Sequence, residues 1–176
     1  MAKQRVLCTG NPQDPATIAS GIKELFPTAD FASRTTGYDL TFTKPGSKEY
    51  FCNNLKKYNI LINASYIAPG VQQHILQIAN ETWRHGHVVN IGSTAEYDIN
   101  AYPNREYAAD KLALRDLSLR LFSYRFRTTH IVLGGICSTE HPDWLKPTVI
   151  AETVSWAVNS PVDVPIVGIQ QEFEPW

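Results

Sequence analysis

The sequence predicts a doubly wound α/β fold, a parallel sheet with helices on both faces, and three observations carry that expectation. Short apolar runs recur along the chain and alternate with segments whose apolar residues follow helical spacing. Those runs are largely continuous rather than alternating, as strands buried on both faces require. No repeat, linker or low-complexity stretch interrupts the series, so residues 1–176 are expected to form a single domain around one core.

Arg5 to Thr9 is the first strand, closed by Gly10. After the loop Asn11-Pro12-Gln13-Asp14-Pro15 comes a helix over Ala16–Phe26, with Ile18, Ile22, Leu25 and Phe26 on one side and Pro27 as its stop. Asp14 is the expected N-cap, and Pro15 suits a first turn. A second strand is expected over Ala29–Arg34, then a helix over Pro45–Lys57 that packs Tyr50, Phe51 and Leu55 inward. Asn59–Ser65 reads as a buried strand ending in small residues. Val71–Trp83, entered after Pro69-Gly70, aligns Val71, Ile75, Ile78 and Ala79 as a helix. His87–Gly92 is the next strand and runs into Ser93-Thr94. From Tyr107 to Leu121 the chain has no Gly or Pro and is rich in Leu, Ala and Arg, all good helix formers. Thr128–Leu133 is a strand, Lys146–Val158 a helix, Val162–Ile169 the last strand and Gln170–Trp176 a tail.

Tyr107 and Lys111 stand one helical turn apart on the same face. An ammonium beside a phenol favours the phenolate, so Lys111 is expected to lower the Tyr107 pKa from about 10 toward a value useful for proton transfer. Ser93, fourteen positions before Tyr107 at a strand end, can offer a hydroxyl to a substrate oxygen. Tyr97 and Tyr102 lie in the same loop, but neither has a lysine four residues on. Strand, Ser, gap and Tyr-x-x-x-Lys on a helix: here the chain resembles the short-chain dehydrogenase/reductase superfamily. The resemblance implies a Rossmann-like sheet, Ser93, Tyr107 and Lys111 as the catalytic set, and NAD(H) or NADP(H) as cofactor. It further implies that Tyr107 gives a proton to a carbonyl oxygen that Ser93 also bonds. Lys111 would lower the Tyr107 pKa and hold the nicotinamide ribose.

The same resemblance assigns the cofactor-binding residues. Thr9, Gly10, Thr17 and Ile18 occupy the strand, loop and helix N-terminus where a dinucleotide pyrophosphate sits. The family's Thr-Gly-x-x-x-Gly-x-Gly is met at Thr9-Gly10 only, with Asp14 and Ala16 at the later glycines. Thr17-Ile18-Ala19-Ser20-Gly21-Ile22 is instead similar to a segment of the enoyl-acyl-carrier-protein reductases, an alignment in which the Asp14 carboxylate turns away from phosphate. Ser33-Arg34-Thr35 brings an Arg and no acid to the second strand end, an arrangement that accommodates a 2′-phosphate, so NADP(H) is favoured over NAD(H). Asp39 and Leu40 resemble the pair that flanks the adenine. They follow strand two so closely that the region is similar to the dTDP-4-dehydrorhamnose reductases. Asn63, Ala64 and Ser65 resemble the family's Asn-Asn-Ala-Gly stretch beside the nicotinamide ribose. Gly134, Gly135 and Ile136 open a segment reaching Thr139 in the place of the Pro-Gly-x-x-x-Thr loop over the nicotinamide. No residue maps to the family's catalytic Asn, Asn80 being too near Ser93, and the substrate-covering lid is short.

A net charge of −1 argues against nucleic-acid binding. After the basic opening Met1–Arg5 only Val6-Leu7-Cys8 precedes Thr9-Gly10, too short for a signal-peptide core, and no stretch approaches a membrane span. Cys8, Cys52 and Cys137 fit free thiols in a reducing compartment, so a cytoplasmic protein without a membrane partner is expected. His85 and His87 form the only close histidine pair and lack a third ligand nearby, so no metal is expected. The expected function is an NADP(H)-dependent oxidoreductase acting on a small-molecule carbonyl or alcohol. The alternatives are a nucleotide-binding regulatory protein of the same fold without turnover, and a nucleotide-sugar reductase or epimerase. On the Tyr107 helix, Leu114, Leu117 and Leu121 share one side while Leu112 and Leu119 lie nearly opposite. A homodimer or homotetramer through that helix is therefore expected.

Overall fold

The computed structural model describes residues 4–83, 86–123, 126–138 and 140–170. Its six strands are β1 (Val6–Thr9), β2 (Asp30–Ala32), β3 (Ile60–Asn63), β4 (Gly86–Ile91), β5 (Phe126–Leu133) and β6 (Ile166–Ile169). The helices between them are α1 (Ile18–Leu25), α2 (Ser47–Leu55), α3 (Val71–Thr82), α4 (Arg105–Leu121) and α5 (Pro147–Asn159). All strand pairs are parallel, and the order across the sheet is β2-β1-β3-β4-β5-β6. The fold is the expected Rossmann-like α/β sheet with helices on both faces.

Both faces are buried because successive side chains of a strand point to opposite sides. Val6 and Cys8 of β1, Ile60 and Ile62 of β3, and Val89 and Ile91 of β4 pack under α1 and α5. Leu7, Leu61 and Val88, one position out of phase, pack under α2, α3 and α4. The chain places its first crossover on one side of β1 and its second on the other. That reversal between β1 and β3 makes a topological switch point, with a crevice beyond the strand ends.

Several boundaries differ from the sequence reading, each for a local reason. The N-cap of α1 is Thr17, whose hydroxyl accepts the Ser20 N–H, because Asp14 already accepts the Ala16 N–H and closes a turn of its own before the helix. β2 stops at Ala32, and Ser33 starts a single 3₁₀ turn, Arg34–Thr36, in which the Thr36 hydroxyl accepts the Ser33 N–H. Tyr50 does not pack inward with Phe51 and Leu55. It is 49% exposed and leans on Tyr38, ring centroids 5.1 Å apart. β6 begins only at Ile166, since Pro165, which lacks an N–H, meets the sheet by accepting the His130 N–H. A short 3₁₀ turn over Thr94–Tyr97 follows β4, where the sequence showed only a loop. The expectations for His85, Thr139, residues 1–3 and the tail beyond Gln170 fall outside the described residues.

α1 and α5 cross in close contact at Gly21, where a Cβ would collide with the backbone carbonyl of Pro147. Gly21→Ala should therefore lower stability by roughly 1–3 kcal/mol, although alanine gains about 1 kcal/mol in helix propensity. A denaturant midpoint equal to or above that of the parent would contradict this packing.

Candidate active site

The C-terminal ends of the strands open into three cavities that share walls. The first, about 460 Å³, is lined by Ser93, Thr94, Tyr107, Lys111, Gly134, Gly135 and Ile136, with Tyr66, Tyr102 and Trp144. The second, about 450 Å³, is lined by Thr9, Gly10, Thr17, Ile18, Ala64 and Ser65. A third, about 730 Å³, is lined by Ser33, Arg34, Thr35, Asp39, Leu40 and Lys44. Ile18, Ala64, Tyr66 and Ile136 belong to both the first and the second, and Gly10, Asn11, Ser65 and Ile67 to both the second and the third. Together they form one trough across the switch point.

Ser93 leaves β4 in extended conformation and N-caps the 3₁₀ turn, its hydroxyl accepting the Ala95 N–H at 3.3 Å. The Glu96 carboxylate accepts the Ser93 N–H at 3.4 Å from below. Glu96 is itself buried against His130 Nε2 at 3.0 Å and against Arg115 Nη1 at 3.5 Å. Gly92 makes this possible, because a Cβ there would strike the His130 ring. Tyr107 enters from the first turn of α4, which Asn104 caps by accepting the Tyr107 N–H. Its ring meets Tyr66 edge-on at 4.8 Å.

The electrostatics correct one expectation. The Tyr107 pKa is raised, not lowered: burial opposes the phenolate, and the neighbouring Ser93 side chain only partly offsets it. Lys111 Nζ lies 5.4 Å from the Tyr107 ring centroid and spends two of its hydrogens elsewhere. It donates to Gln72 Oε1 at 2.7 Å and to the Ile91 carbonyl at 2.8 Å. Burial lowers the Lys111 pKa to about 8, with Asp110 and Glu96 pulling the other way.

Behind Lys111 the polar contacts continue into the core. Gln72 Nε2 donates to the Asn63 carbonyl at 2.8 Å, and Asn63 Nδ2 donates to the Gln72 carbonyl at 2.8 Å and to Asn90 Oδ1 at 2.9 Å. Asn90 in turn donates to the Ser118 hydroxyl. Asn63, expected beside the cofactor, is thus fully buried in this chain of amides and lines none of the three cavities. The other expected residues do line the trough. Thr9 does so while its hydroxyl accepts the N–H groups of Ala64 and Ser65, tying β1 to the end of β3. Gly10 has φ +133°, and a Cβ there would crowd Ala19 and Ser65.

At the far end, the Asp39 carboxylate is committed to its own loop. It accepts the Thr41 hydroxyl at 2.6 Å and the Lys44 N–H at 2.8 Å, and these bonds, Thr41 first, lower its pKa to about 2. Asp14 likewise turns onto its own backbone and lines no part of the trough. Arg34 is exposed at the rim near the Ser33 and Thr35 hydroxyls and Lys44.

Sequence reasoning passed over five residues of the site. Gln72 carried a signal, since it falls on the apolar stripe with Ile75, Leu76 and Ala79. His130 carried one too, as an imidazole inside a buried strand. Glu96 carried one as well, since Ser93-Thr94-Ala95-Glu96 has the spacing of a capping box, whereas Tyr66 and Trp144 sit in irregular segments and carried none. Trp144 lies over Gly135 and is stacked on His141 at 3.9 Å, forming a compact aromatic wall where a longer lid was missing. Among the described residues, no three of His, Cys, Asp and Glu stand together to hold a metal, and no helix is long and apolar enough to cross a membrane.

No protein-family model matches the chain, and no curated protein matches it by sequence. Solved structures do match. A short-chain dehydrogenase/reductase of the glucose/ribitol dehydrogenase type from Brucella melitensis superposes with TM-score 0.72 at 16% identity, covering 94% of each chain. The closed form of a serine dehydrogenase complexed with NADP+ gives 0.70 at 19% identity, covering 98% of each. A 3-alpha-hydroxysteroid dehydrogenase from a Pseudomonas species, complexed with NADH, gives 0.70 at 14% identity over 94% of this chain and 95% of that one. The chain has the fold of the short-chain dehydrogenases/reductases.

The buried lysine gives a pH test. Its folded pKa of about 8 lies below the ordinary 10.5, so between those values the unfolded chain binds more protons and wild-type stability gains from this group as pH rises. Compared with Lys111→Met, which has no such group, the wild type should gain on the order of 3 kcal/mol between pH 8 and 10.5. Urea unfolding of both proteins at the two pH values measures it, and a constant difference would contradict the assignment.

Proposed function

We propose that the protein is an NADP(H)-dependent oxidoreductase of the short-chain dehydrogenase/reductase superfamily, interconverting a small carbonyl compound and its alcohol. The observation that carries this reading is that Ser93, Tyr107 and Lys111 line one cavity at the end of a trough crossing the switch point. Solved structures of the same fold include complexes with NADH and with NADP+, which supports a nicotinamide cofactor.

The residues present fit such a group. Gly10 and Ser65 at the crevice, with the N-terminus of α1 beside them, suit a pyrophosphate. The first cavity would take the nicotinamide end and the third the adenosine end. When bound, the cofactor would supply or accept the hydride. The protein's own part is acid–base. Tyr107, kept neutral by burial, holds at its phenol oxygen the proton destined for the substrate oxygen. Ser93, which lines the same cavity, would orient the same oxygen. The Lys111 ammonium at the cavity floor favours the negative charge that develops on Tyr107 as the proton leaves. Tyr66, Tyr102 and Trp144 add an apolar lining to the same cavity.

The 2′-phosphate preference rests on Arg34 and Lys44 beside the Ser33 and Thr35 hydroxyls, and on an Asp39 carboxylate already engaged by its loop. A cytoplasmic homodimer or homotetramer belongs to the same reading. Leu114 is buried in the core while Leu119 is 41% exposed on the opposite side of α4, the face a second copy would cover. Light scattering gives the mass that decides it.

Tyr107→Phe should cut turnover on the order of 100- to 10,000-fold while leaving the fold and cofactor affinity nearly intact. A variant that keeps most of its rate on a panel of aldehydes, ketones and keto-sugars would remove Tyr107 from the chemistry. Complete absence of turnover in the parent, with NADPH still bound, would instead favour a nucleotide-binding regulator.

Fluorescence titration should show NADPH binding tighter than NADH by tenfold or so, about 1.4 kcal/mol. Arg34→Ala should narrow that gap. Equal affinities in the parent would refute the NADP(H) assignment.

A further inference from the structure

We propose that Gln72 is the positioning residue of Lys111, a neutral amide that fixes the ammonium on the cavity floor without neutralising it. Gln72 is fully buried in the first turn of α3, and Lys111 is 2% exposed. The amide orientation is determined by its surroundings. Nε2 faces two carbonyl oxygens, Asn63 at 2.8 Å and Ile91 at 3.3 Å, so Oε1 must be the atom at 2.7 Å from Nζ. A flipped amide would set an N–H against the ammonium and an oxygen against both carbonyls.

The choice of an amide has a chemical consequence. Lys111 carries three N–H donors, and Gln72 and the Ile91 carbonyl accept two of them. One is left for the side where the Tyr66 and Tyr107 rings lie, 5.5 and 5.4 Å from Nζ. The neighbouring carboxylates have partners other than Lys111, though Asp110 Oδ2 itself accepts no hydrogen bond. Asp110, on α4 itself, accepts the Gly70 N–H and Gln73 Nε2, and Glu96, from the 3₁₀ turn, is paired with His130 and Arg115. Among the described residues no carboxylate forms an ion pair with Lys111, so its charge stays available to the cavity. A carboxylate at position 72 would raise the lysine's pKa and bind its charge. A hydrocarbon there would remove an acceptor from a buried cation and lower the pKa further.

The consequence for catalysis rests on the role proposed for Lys111, but the positioning is measurable without turnover. The experiment is carbon-13 NMR titration of the Lys111 side-chain methylene in the full apo chain, for the parent, Gln72→Glu and Gln72→Met. The expected result is an upward shift of at least one pH unit in Gln72→Glu and a downward shift in Gln72→Met. The alkaline limb of the kcat profile should move in the same directions while KM changes little. Titration of Lys111 at the parent's pH in the folded variants, with only stability reduced, would overturn the proposal. If Gln72→Met does not fold, the isosteric Gln72→Glu carries the test. Shifted titrations in a protein that turns over no carbonyl or alcohol would uphold Gln72's role and reject the oxidoreductase reading.

Discussion

A charged ammonium buried at the end of a parallel sheet needs acceptors, and the placement of α3 and α4 follows from supplying them. Without hydrogen-bonding partners, the desolvation of such a charge would be far larger than the few kcal/mol by which proteins are stable. Lys111 finds its acceptors in the first turn of α3 and the last carbonyl of β4. Its neighbour Asp110 holds the same turn from the other side, accepting the Gly70 N–H and Gln73 Nε2. Two consecutive residues of α4 therefore clasp residues 70, 72 and 73. The amides of Gln72, Asn63 and Asn90 carry that clasp through the sheet ends to Ser118, back on α4. Substituting any one of these amides by a hydrocarbon would leave a buried partner unsatisfied, at a cost of about 1–3 kcal/mol.

The clasp fixes one end of the trough, and the switch point fixes the other. β1 lies between β2 and β3, and the Thr9 hydroxyl draws the Ala64 and Ser65 N–H groups toward it. This brings Gly10 against Ser65 with room for no side chain between them. The middle of the trough is therefore bounded by a residue without a side chain, and cavities of about 460 and 730 Å³ lie on either side of it. The order β2-β1-β3-β4-β5-β6 reaches it with little chain, because strand two passes almost directly into the Asp39 loop. Asp39 stabilises that shortcut by accepting bonds from Thr41 and Lys44.

What the sequence made legible follows from how each feature is encoded. The strands were readable because burial on both faces demands continuous apolar runs, and Ile60–Asn63 and Gly86–Ile91 are such runs. The Ser93, Tyr107 and Lys111 constellation was readable because a helix converts spacing into a shared face. The direction of the Tyr107 pKa shift was not, since it depends on burial and on where the Lys111 hydrogens point, and both are set by residues far away in sequence. The N-cap of α1 was misplaced because Asp14 and Thr17 are both good caps, and only the path of the loop decides between them. Tyr50 was misplaced because helical phase puts it beside Phe51 on the edge of the stripe, where packing against Tyr38 decides how far it tilts out. Glu96 and His130 had no common sequence signal, as the contact joins a loop to a strand 34 residues on.

The cost of this arrangement bears on what the protein is for. A module that only bound a nucleotide would gain stability by replacing Lys111 with a hydrophobic residue, for buried ion-like groups are commonly outperformed by apolar ones of similar size. Here the lysine is kept, with a depressed pKa, two neutral acceptors and no opposing carboxylate in contact. It faces a phenol that burial keeps protonated, in the cavity that the Ser93 side chain also lines. Burial pushes the two pKa values apart, the phenol up and the ammonium down to about 8, so near neutral pH the phenol remains a donor while a cation stands ready for the charge its proton leaves behind. That pairing is of little use to passive binding, whereas proton transfer to a substrate oxygen needs both halves. Perturbed groups of this kind gather where chemistry is done, which favours turnover over a purely regulatory role for this chain.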